Sequence, residues 1–280
     1  MSAPDPNLLS INTATVREKC NLRQAAEACR RHNIRGIAPW RDKLAEVGAK
    51  EGARIIRDNG LTVTGLCRGG FFAAPDRKGR QAAIDDNLRA IDEAATIEAR
   101  CLVIVAGGLA QGSKDLGGAR EMVRDGLGAI LDHARACGVP IAIEPMHPMY
   151  AADRGCINTL AQALDLCDEL DGKGGVAMGV AVDLYHVWWD PELKRQIERA
   201  GEKRLMGFHL CDWLVPTTDL LLDRGMMGDG VIDIPLVRSW MEAAGYHGMH
   251  EVEIFSQHNW WRKEADEVLL TCKLRHETVC

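Results

Sequence analysis

Short apolar runs alternate with longer amphipathic patterns along most of this chain. The apolar runs are typical of buried strands and lie near residues 8–12, 34–39, 61–67, 101–106, 139–144, 178–183, 205–210 and 249–254. The clearest helical patterns, rich in alanine, leucine and paired charges, lie at 22–32, 80–98, 119–137 and 158–170. Because parallel strands are joined by helical crossovers, this alternation predicts a parallel sheet of eight strands.

Side chains able to bind a metal stand near the ends of four of these runs. They are Glu144, Asp183, His209 and Glu253. Strand ends separated by helix-length intervals converge in a closed or a doubly wound parallel sheet, where functional groups gather beyond the carboxyl ends of the strands. Three carboxylates and one imidazole that meet there predict a divalent metal site.

The strand register supports a shared inward face for these side chains, because residues two apart on a strand point the same way. The small residues that share a face with the first three predicted ligands are Ala142, Ala181 and Gly207. Bulky apolar residues occupy the opposite face, which is expected to contact the helices. On the last strand Glu251 and Glu253 share a face, and either is a possible fourth ligand. We prefer Glu253, nearer the strand end, and expect Glu251 to make a structural pairing in the interior, with metal ligation or support of a ligand as the alternative.

The composition narrows the class of protein. The 280 residues, 46% of them apolar, suffice for one domain over 1–280, and no linker or repeat marks a boundary. A net charge of −6 argues against binding to nucleic acid and favours a small polar substrate. The ten cysteines contain no C-x-x-C pair, and neither a signal segment nor a membrane-spanning run is visible. A reducing cytoplasm is therefore the expected setting, and a homo-oligomer remains open.

Five segments together resemble a known family. They are IEPMHP, VDLYHVWW, FHLCDW, GDGVIDIP and EVEIF, and their order and spacing are similar to the sugar phosphate isomerase/epimerase group of xylose isomerase-like TIM barrels. The resemblance covers nearly the whole chain and implies a (β/α)8 TIM barrel. The group includes ketose 3-epimerases and inosose dehydratases. In the 3-epimerases one divalent cation is held by a Glu, an Asp, a His and a Glu, which fall here on Glu144, Asp183, His209 and Glu253.

The resemblance implies proton transfer next to a carbonyl. The hydroxyl and carbonyl of a ketose chelate a divalent cation, whose Lewis acidity stabilises the enediolate that forms when a proton is lost. Glu144 and Glu253, one on each face of the sugar, are the implied acid and base. His147, in the loop after Glu144, is a third acid/base candidate. The oxygen-rich ligand set favours Mn²⁺ or Mg²⁺, and Co²⁺ and Zn²⁺ are also compatible.

Four further residues are candidate substrate contacts. His186 follows Asp183 at the offset where the resembling epimerases place a substrate-binding histidine. Arg68, which the pattern places in the loop after the third strand, carries a guanidinium suited to a carboxylate, a phosphate or a pair of hydroxyls. Asp212 follows the predicted histidine ligand and is expected to orient it or to bind a hydroxyl. Tryptophans near the strand ends predict an apolar wall for a substrate larger than a triose, or a subunit contact; they are Trp40, Trp188, Trp189, Trp213, Trp260 and Trp261.

The favoured function is that of an isomerase or epimerase of a sugar or keto-polyol. The alternative on the same residues is a lyase or dehydratase that expels a β-leaving group from a keto-sugar or keto-inositol, including cleavage of a 3-keto-glycoside. Lining of the pocket by His147 and the tryptophans would favour the lyase. An apurinic-site endonuclease, which shares this barrel, needs more histidine ligands and a basic groove, neither of which the sequence shows. The complete ligand set disfavours a sugar-binding barrel without catalysis.

Overall fold

Residues 3–280 are described by the computed structural model. The strands are β1 (Leu9–Asn12), β2 (Gly36–Ala38), β3 (Thr62–Val63), β4 (Leu66–Gly70), β5 (Leu102–Val105), β6 (Ile141–Glu144), β7 (Met178–Asp183), β8 (Leu205–Leu210), β9 (Asp212–Trp213), β10 (Arg224–Gly225) and β11 (His250–Val252). The α-helices are α1 (Leu22–Arg31), α2 (Arg41–Ala45), α3 (Ala49–Asp58), α4 (Arg77–Thr96), α5 (Leu116–Cys137), α6 (Leu160–Asp171), α7 (Leu184–Val187), α8 (Leu193–Arg204), α9 (Ile234–Ala243) and α10 (Ala265–Val279).

Nine parallel strands form a nearly closed barrel with the helices outside. Their order is β3-β2-β1-β11-β8-β7-β6-β5-β4, and β9 and β10 form a separate antiparallel hairpin. The predicted barrel is therefore confirmed, with the third predicted strand divided into β3 and β4 at Thr64 and Gly65. β3 pairs with β2, whereas β4 pairs with β5, and an isolated bridge between Trp40 and Cys67 spans the gap between the two ends.

The placement of Arg68 in a loop was wrong, because Arg68 lies inside β4. The two glycines that follow Arg68 allow a close approach of α4 to the strand. The side chain of Asn87 on α4 accepts a hydrogen bond from the Gly70 amide at 2.6 Å. A Cβ atom on Gly69 would lie only 2.4 Å from the Asn87 Oδ1. Glycine is needed here so that the helix can contact the strand backbone.

Two helices begin three residues earlier than their alanine-rich patterns predicted. α4 begins after Asp76, whose carboxylate accepts a hydrogen bond from the Gly79 amide at 2.7 Å. α5 begins after Asp115, which accepts one from the Gly118 amide at 2.9 Å. Aspartate at the N-cap stabilises a first turn that contains poor helix formers such as glycine. The hydrophobic pattern alone therefore predicted the wrong first residue for both helices.

The predicted division of each strand into an inner and an outer face is confirmed. Ala142 and Ala181 form a small interior cluster with Cys101 and Val103. The bulky outward residues belong to the large core between strands and helices; they are Ile141, Ile143, Val180, Val182, Phe208 and Leu210. Within residues 3–280, no helix has the length and apolar character that crossing a membrane requires.

Candidate metal centre

Four buried side chains converge at the carboxyl end of the barrel. Glu144 ends β6, Asp183 ends β7, His209 lies near the end of β8, and Glu253 directly follows β11. Asp183 and His209 are direct neighbours in the register of β7 and β8. One possible ligand atom from each of the four lies within 4.8 Å of the other three, and all four residues are buried. The fold thus brings the predicted ligand set together.

The side chains of His209 and Arg224 contact the three carboxylates of the site. His209 Nδ1 lies 2.8 Å from Glu144 Oε1. Arg224, at the start of β10, reaches across the site, and its Nη1 donates to Asp183 Oδ2 at 3.2 Å and to Glu253 Oε2 at 3.3 Å. One carboxylate of the site is thus paired with His209, and the other two are paired with Arg224.

The electrostatics of the site are those of crowded, buried carboxylates. Burial, together with the neighbouring carboxylates of Glu144 and Asp183, raises the pKa of Glu253 to about 8. Burial also raises the pKa of Glu144. The pKa of Asp183 is lowered despite its burial, because the neighbouring His186 imidazole and Arg224 guanidinium favour the ionised form. A divalent cation would relieve this repulsion, and the donor set of three carboxylates and one imidazole fits such a cation.

Glu251 lies behind the imidazole of His209. The two residues are register partners on β11 and β8, and Glu251 Oε1 is 3.7 Å from His209 Nε2. Asn12 Nδ2 donates to Glu251 Oε1 at 2.8 Å, and the Thr64 hydroxyl donates to Oε2 at 2.7 Å. Although burial opposes it, the carboxylates of Glu251 and Glu144 raise the pKa of His209 well above its usual value. The interior pairing predicted for Glu251 is thus present.

A cavity of about 260 Å³ opens beside the metal centre. Glu144 and Glu253 border it, and three of the predicted substrate contacts, Trp40, Arg68 and His186, line it. The Trp40 indole donates to Glu253 Oε1 at 3.3 Å. Of the six tryptophans near the strand ends, Trp40 and Trp261 are among the lining residues.

His186 and Arg224 form the polar wall next to the ligands. Arg224 Nη2 lies 3.3 Å from His186 Nε2, and the guanidinium carbon is 4.4 Å from the centre of the Tyr185 ring. Burial lowers the pKa of His186 to about 3, so its imidazole is neutral at physiological pH. Within residues 3–280, His186 Nδ1 and Arg224 Nε have no hydrogen-bond partner. Sequence reasoning missed Arg224 because it lies far along the loop after β8.

The other two predicted site residues lie away from the cavity lining. His147 stacks on Trp213 with ring centres 5.2 Å apart, and its Nδ1 accepts a hydrogen bond from the Met149 amide at 3.2 Å. Asp212 accepts hydrogen bonds at 2.8–3.0 Å from four backbone amides; they belong to Trp213, Gly228, Gly230 and Ile232. Asp212 thus organises the loop after β8 and makes no hydrogen bond with His209.

Known sequences place the chain in a family. A profile of the xylose isomerase-like TIM barrel matches residues 21–272. The chain belongs to this family. An inosose isomerase of Bacillus velezensis (strain DSM 23117 / BGSC 10A6 / LMG 26770 / FZB42) is 25% identical over 287 residues, which cover 97% of this chain and 96% of the relative. The resemblance found in the five sequence segments is therefore confirmed at family level, and this family includes sugar isomerases and epimerases.

Solved structures agree with this xylose isomerase-like fold. A protein from Sinorhizobium meliloti 1021 is 60% identical, with a TM-score of 0.95 over 99% of both chains. The IolI protein, whose crystal structure contains a bound zinc atom, has a TM-score of 0.80 at 22% identity over 95% of both chains. At that identity the second likeness shows the shared fold.

Proposed function

We propose that this xylose isomerase-like barrel is a divalent-metal-dependent isomerase or epimerase that moves a proton next to the carbonyl of a keto-sugar or keto-polyol. The observation that carries the proposal is the place of Glu144 and Glu253. Both belong to one buried ligand set, and both border the same cavity. Two carboxylates on one substrate pocket suit removal of a proton by one group and its return by the other.

We assign the cation to Glu144, Asp183, His209 and Glu253. A bound divalent cation supplies Lewis acidity that makes the proton next to a substrate carbonyl easier to remove. The oxygen-rich donors favour manganese or magnesium, and the zinc atom of the IolI protein supports the general type of site. Glu253, with a pKa of about 8, holds a proton at neutral pH in the metal-free protein, and a bound cation would favour its ionised form, which can act as a base.

The hydrogen bonds to Glu253 orient its carboxylate for proton transfer. The Trp40 indole and Arg224 each donate to one of its oxygens, which fixes the plane of the carboxylate beside the cavity. Glu144 is held in a similar way by His209. In this scheme Glu253 takes the proton from one face of the substrate carbon and becomes protonated. Glu144, in its protonated form, delivers a proton to the other face and becomes a carboxylate, and proton exchange with solvent restores both groups.

His186 and Arg224 are assigned to substrate binding. The neutral imidazole of His186 has an unpartnered Nδ1, and hydroxyl groups of a sugar can satisfy such an atom as donor or acceptor. Glu251 is assigned a positioning role, because a carboxylate near the outer nitrogen of a ligating imidazole fixes the ring and increases its basicity. Asp212 and His147 have no part in this scheme, since neither lines the cavity.

The experiment is turnover in deuterated water. The metal-loaded enzyme is incubated with a panel of keto-sugars and keto-inositols, and the products are identified by NMR and mass spectrometry. We expect epimers or isomers with deuterium at the carbon next to the carbonyl, and no reaction after chelation of the metal. Loss of a water or glycosidic leaving group would show the lyase instead. Turnover without deuterium uptake, together with a primary isotope effect on carbon-deuterated substrate, would show a hydride shift.

A further inference from the structure

Among the described residues, one arginine at the mouth of the cavity has no ion-pair partner, and another has only a long contact to an acidic side chain. Four arginines line the cavity, and two of them are paired. Arg17 contacts Asp42 at 2.8 Å, and Arg224 contacts the ligand carboxylates. Within residues 3–280, Arg68 makes no hydrogen bond or ion pair. The remaining arginine, Arg154, forms a long ion pair with its neighbour Asp153, at 3.9 Å, and its guanidinium carbon lies 5.7 Å from the centre of the Tyr150 ring.

Arg68 is nevertheless held in a defined place by aromatic rings. Its guanidinium carbon lies 3.9 Å from the centre of the Phe71 ring and 6.0 Å from that of Trp40. Stacking on a ring fixes the plane of a guanidinium and leaves its N–H edge available. Burial lowers the pKa of Arg68, and Arg154 acts on it as a like charge. Two cations in one partly dry pocket repel each other unless an anion lies between them.

The backbone conformation at Phe71 places its ring next to the Arg68 guanidinium. Phe71 has φ 58°, a left-handed conformation that is rare and unfavourable for a residue with a large side chain. Its amide donates to Val105 O at 3.1 Å. A Cβ atom on Gly107 would lie 2.8 Å from the Phe71 Cα, so glycine makes room for this turn. The Gly107 amide in turn donates to Arg154 O at 3.0 Å, which ties the two arginine-bearing segments together.

From these contacts we propose that the substrate carries an anionic group, a carboxylate or a phosphate, bound between Arg68 and Arg154 at the mouth while its carbonyl faces Glu144 and Glu253. The inference rests on the proposed function for the position of the carbonyl. The planar guanidinium of Arg68 matches the paired oxygens of either anion. The carboxylates of the metal centre do not require Arg68 or Arg154 as partners, because they already contact Arg224 and His209.

Three probes with one carbon skeleton test the anionic group: D-fructose, D-fructose 6-phosphate and D-fructuronate. Their dissociation constants from the metal-loaded enzyme are measured by isothermal titration calorimetry at low and high salt. We expect one or both anions to bind roughly tenfold to hundredfold more tightly than fructose, with the advantage reduced by salt. The better of the two anions distinguishes phosphate from carboxylate. Equal binding of all three probes would overturn the proposal.

Single substitutions of the lining arginines test which residues cause the preference for an anion. Arg68→Met and Arg154→Met keep an apolar stem but remove the charge, and each should remove most of the preference for the anion. Arg17→Met is the control, because it removes a lining arginine whose charge is already paired with Asp42. A preference that survives in both test variants would contradict the assignment.

Deuterium uptake on the same probes separates this proposal from the proposed function. Exchange without anion preference would leave proton transfer standing and overturn the anion site. Anion preference without exchange on any keto-sugar would support the anion site and count against the proposed reaction.

Discussion

Glu251 Oε1 lies 3.7 Å from Nε2 of His209, whose other ring nitrogen lies 2.8 Å from Glu144. The imidazole is thus held between two carboxylates, one on the metal side and one in the interior. If Glu251 positions His209, Glu251→Gln should weaken metal binding by roughly tenfold to hundredfold while the fold is retained. The dissociation constant for Mn²⁺, measured by calorimetry or by electron paramagnetic resonance, checks this.

The matched control is Ser10→Ala. Ser10 belongs to the same buried polar layer, since its hydroxyl lies 3.0 Å from the Thr64 hydroxyl. Ser10 is the register partner of Glu251 on the neighbouring strand, but its side chain makes no hydrogen bond to the Glu251 carboxylate. Its metal affinity should stay close to that of the parent protein. Equal losses in both variants would mean that the layer acts only through general stability, and an unchanged affinity in Glu251→Gln would exclude the positioning role.

A second prediction concerns the base. Glu253→Gln keeps a ligand oxygen but cannot take up a proton, so it should abolish deuterium exchange, a loss of at least about 10²-fold, and still retain detectable metal. His147→Ala should cost less than about tenfold, because His147 lies outside the cavity lining. Exchange rates by NMR, with metal content measured on the same samples, provide the test. An active Glu253→Gln beside an inactive, folded His147→Ala would move proton transfer to the histidine and favour the lyase.

A third prediction is that metal binding releases protons. Glu253, with a pKa of about 8, and His209, with a raised pKa, are protonated in the metal-free protein at neutral pH, and both must lose a proton to become ligands. Metal affinity should therefore rise with pH by roughly tenfold or more per unit up to about pH 8. Calorimetry at pH 7 in buffers of different ionisation enthalpy counts the protons. Glu253→Gln should release one fewer, and an equal count in both proteins would contradict the assignment.

A fourth prediction concerns stability in acid. His250 Nδ1 lies 2.9 Å from His276 Nε2, and burial lowers the pKa of His250 to about 3 and that of His276 to about 4. Both values lie below the roughly 6.5 of an unfolded histidine, so the unfolded state binds more protons as the pH falls below 6.5. The free energy of unfolding should thus be unaffected by this pair above about pH 6.5 and should fall by about 2 kcal/mol per histidine by pH 5.

Urea unfolding at pH 8, 6 and 5 measures this loss, and His276→Gln isolates the contribution of one histidine. The variant should be less stable at pH 8 but should lose roughly 2 kcal/mol less than the parent between pH 8 and pH 5. Parallel curves for the two proteins would show that His276 is not neutral in the fold.

Strand ends were the most predictable part of this molecule. The apolar runs that end at Asp183 and Leu210 match β7 and β8 at both ends, because buried parallel strands are continuous apolar segments with little local ambiguity. Alternation along the strands then predicted that the four candidate ligands share one face. The division of the third strand at Thr64 and Gly65 was not predictable, because it depends on which neighbouring strand each half pairs with.

Residues that reach the site from outside the ligand strands were harder to place. Arg224 enters from the hairpin of β9 and β10, and no periodic pattern marks a hairpin with strands of two residues. Arg68 was recognised as a possible anion contact but assigned to a loop, since the close approach of Asn87 to the strand is a tertiary contact. Asp212 was singled out by its spacing, yet three of the four backbone amides that it accepts from belong to residues 16 to 20 positions further along the chain.

The hydrogen bonds from four backbone amides to Asp212 affect the free energy of substrate binding. Holding one residue in a single backbone conformation costs about 1–2 kcal/mol of conformational entropy. Asp212 holds the Gly228 and Ile232 region of the loop that carries Arg224, so that cost is met when the chain folds. The Arg224 guanidinium is therefore preorganised before the substrate binds. Substrate binding does not need to order the loop, so the affinity is not reduced by that entropic cost.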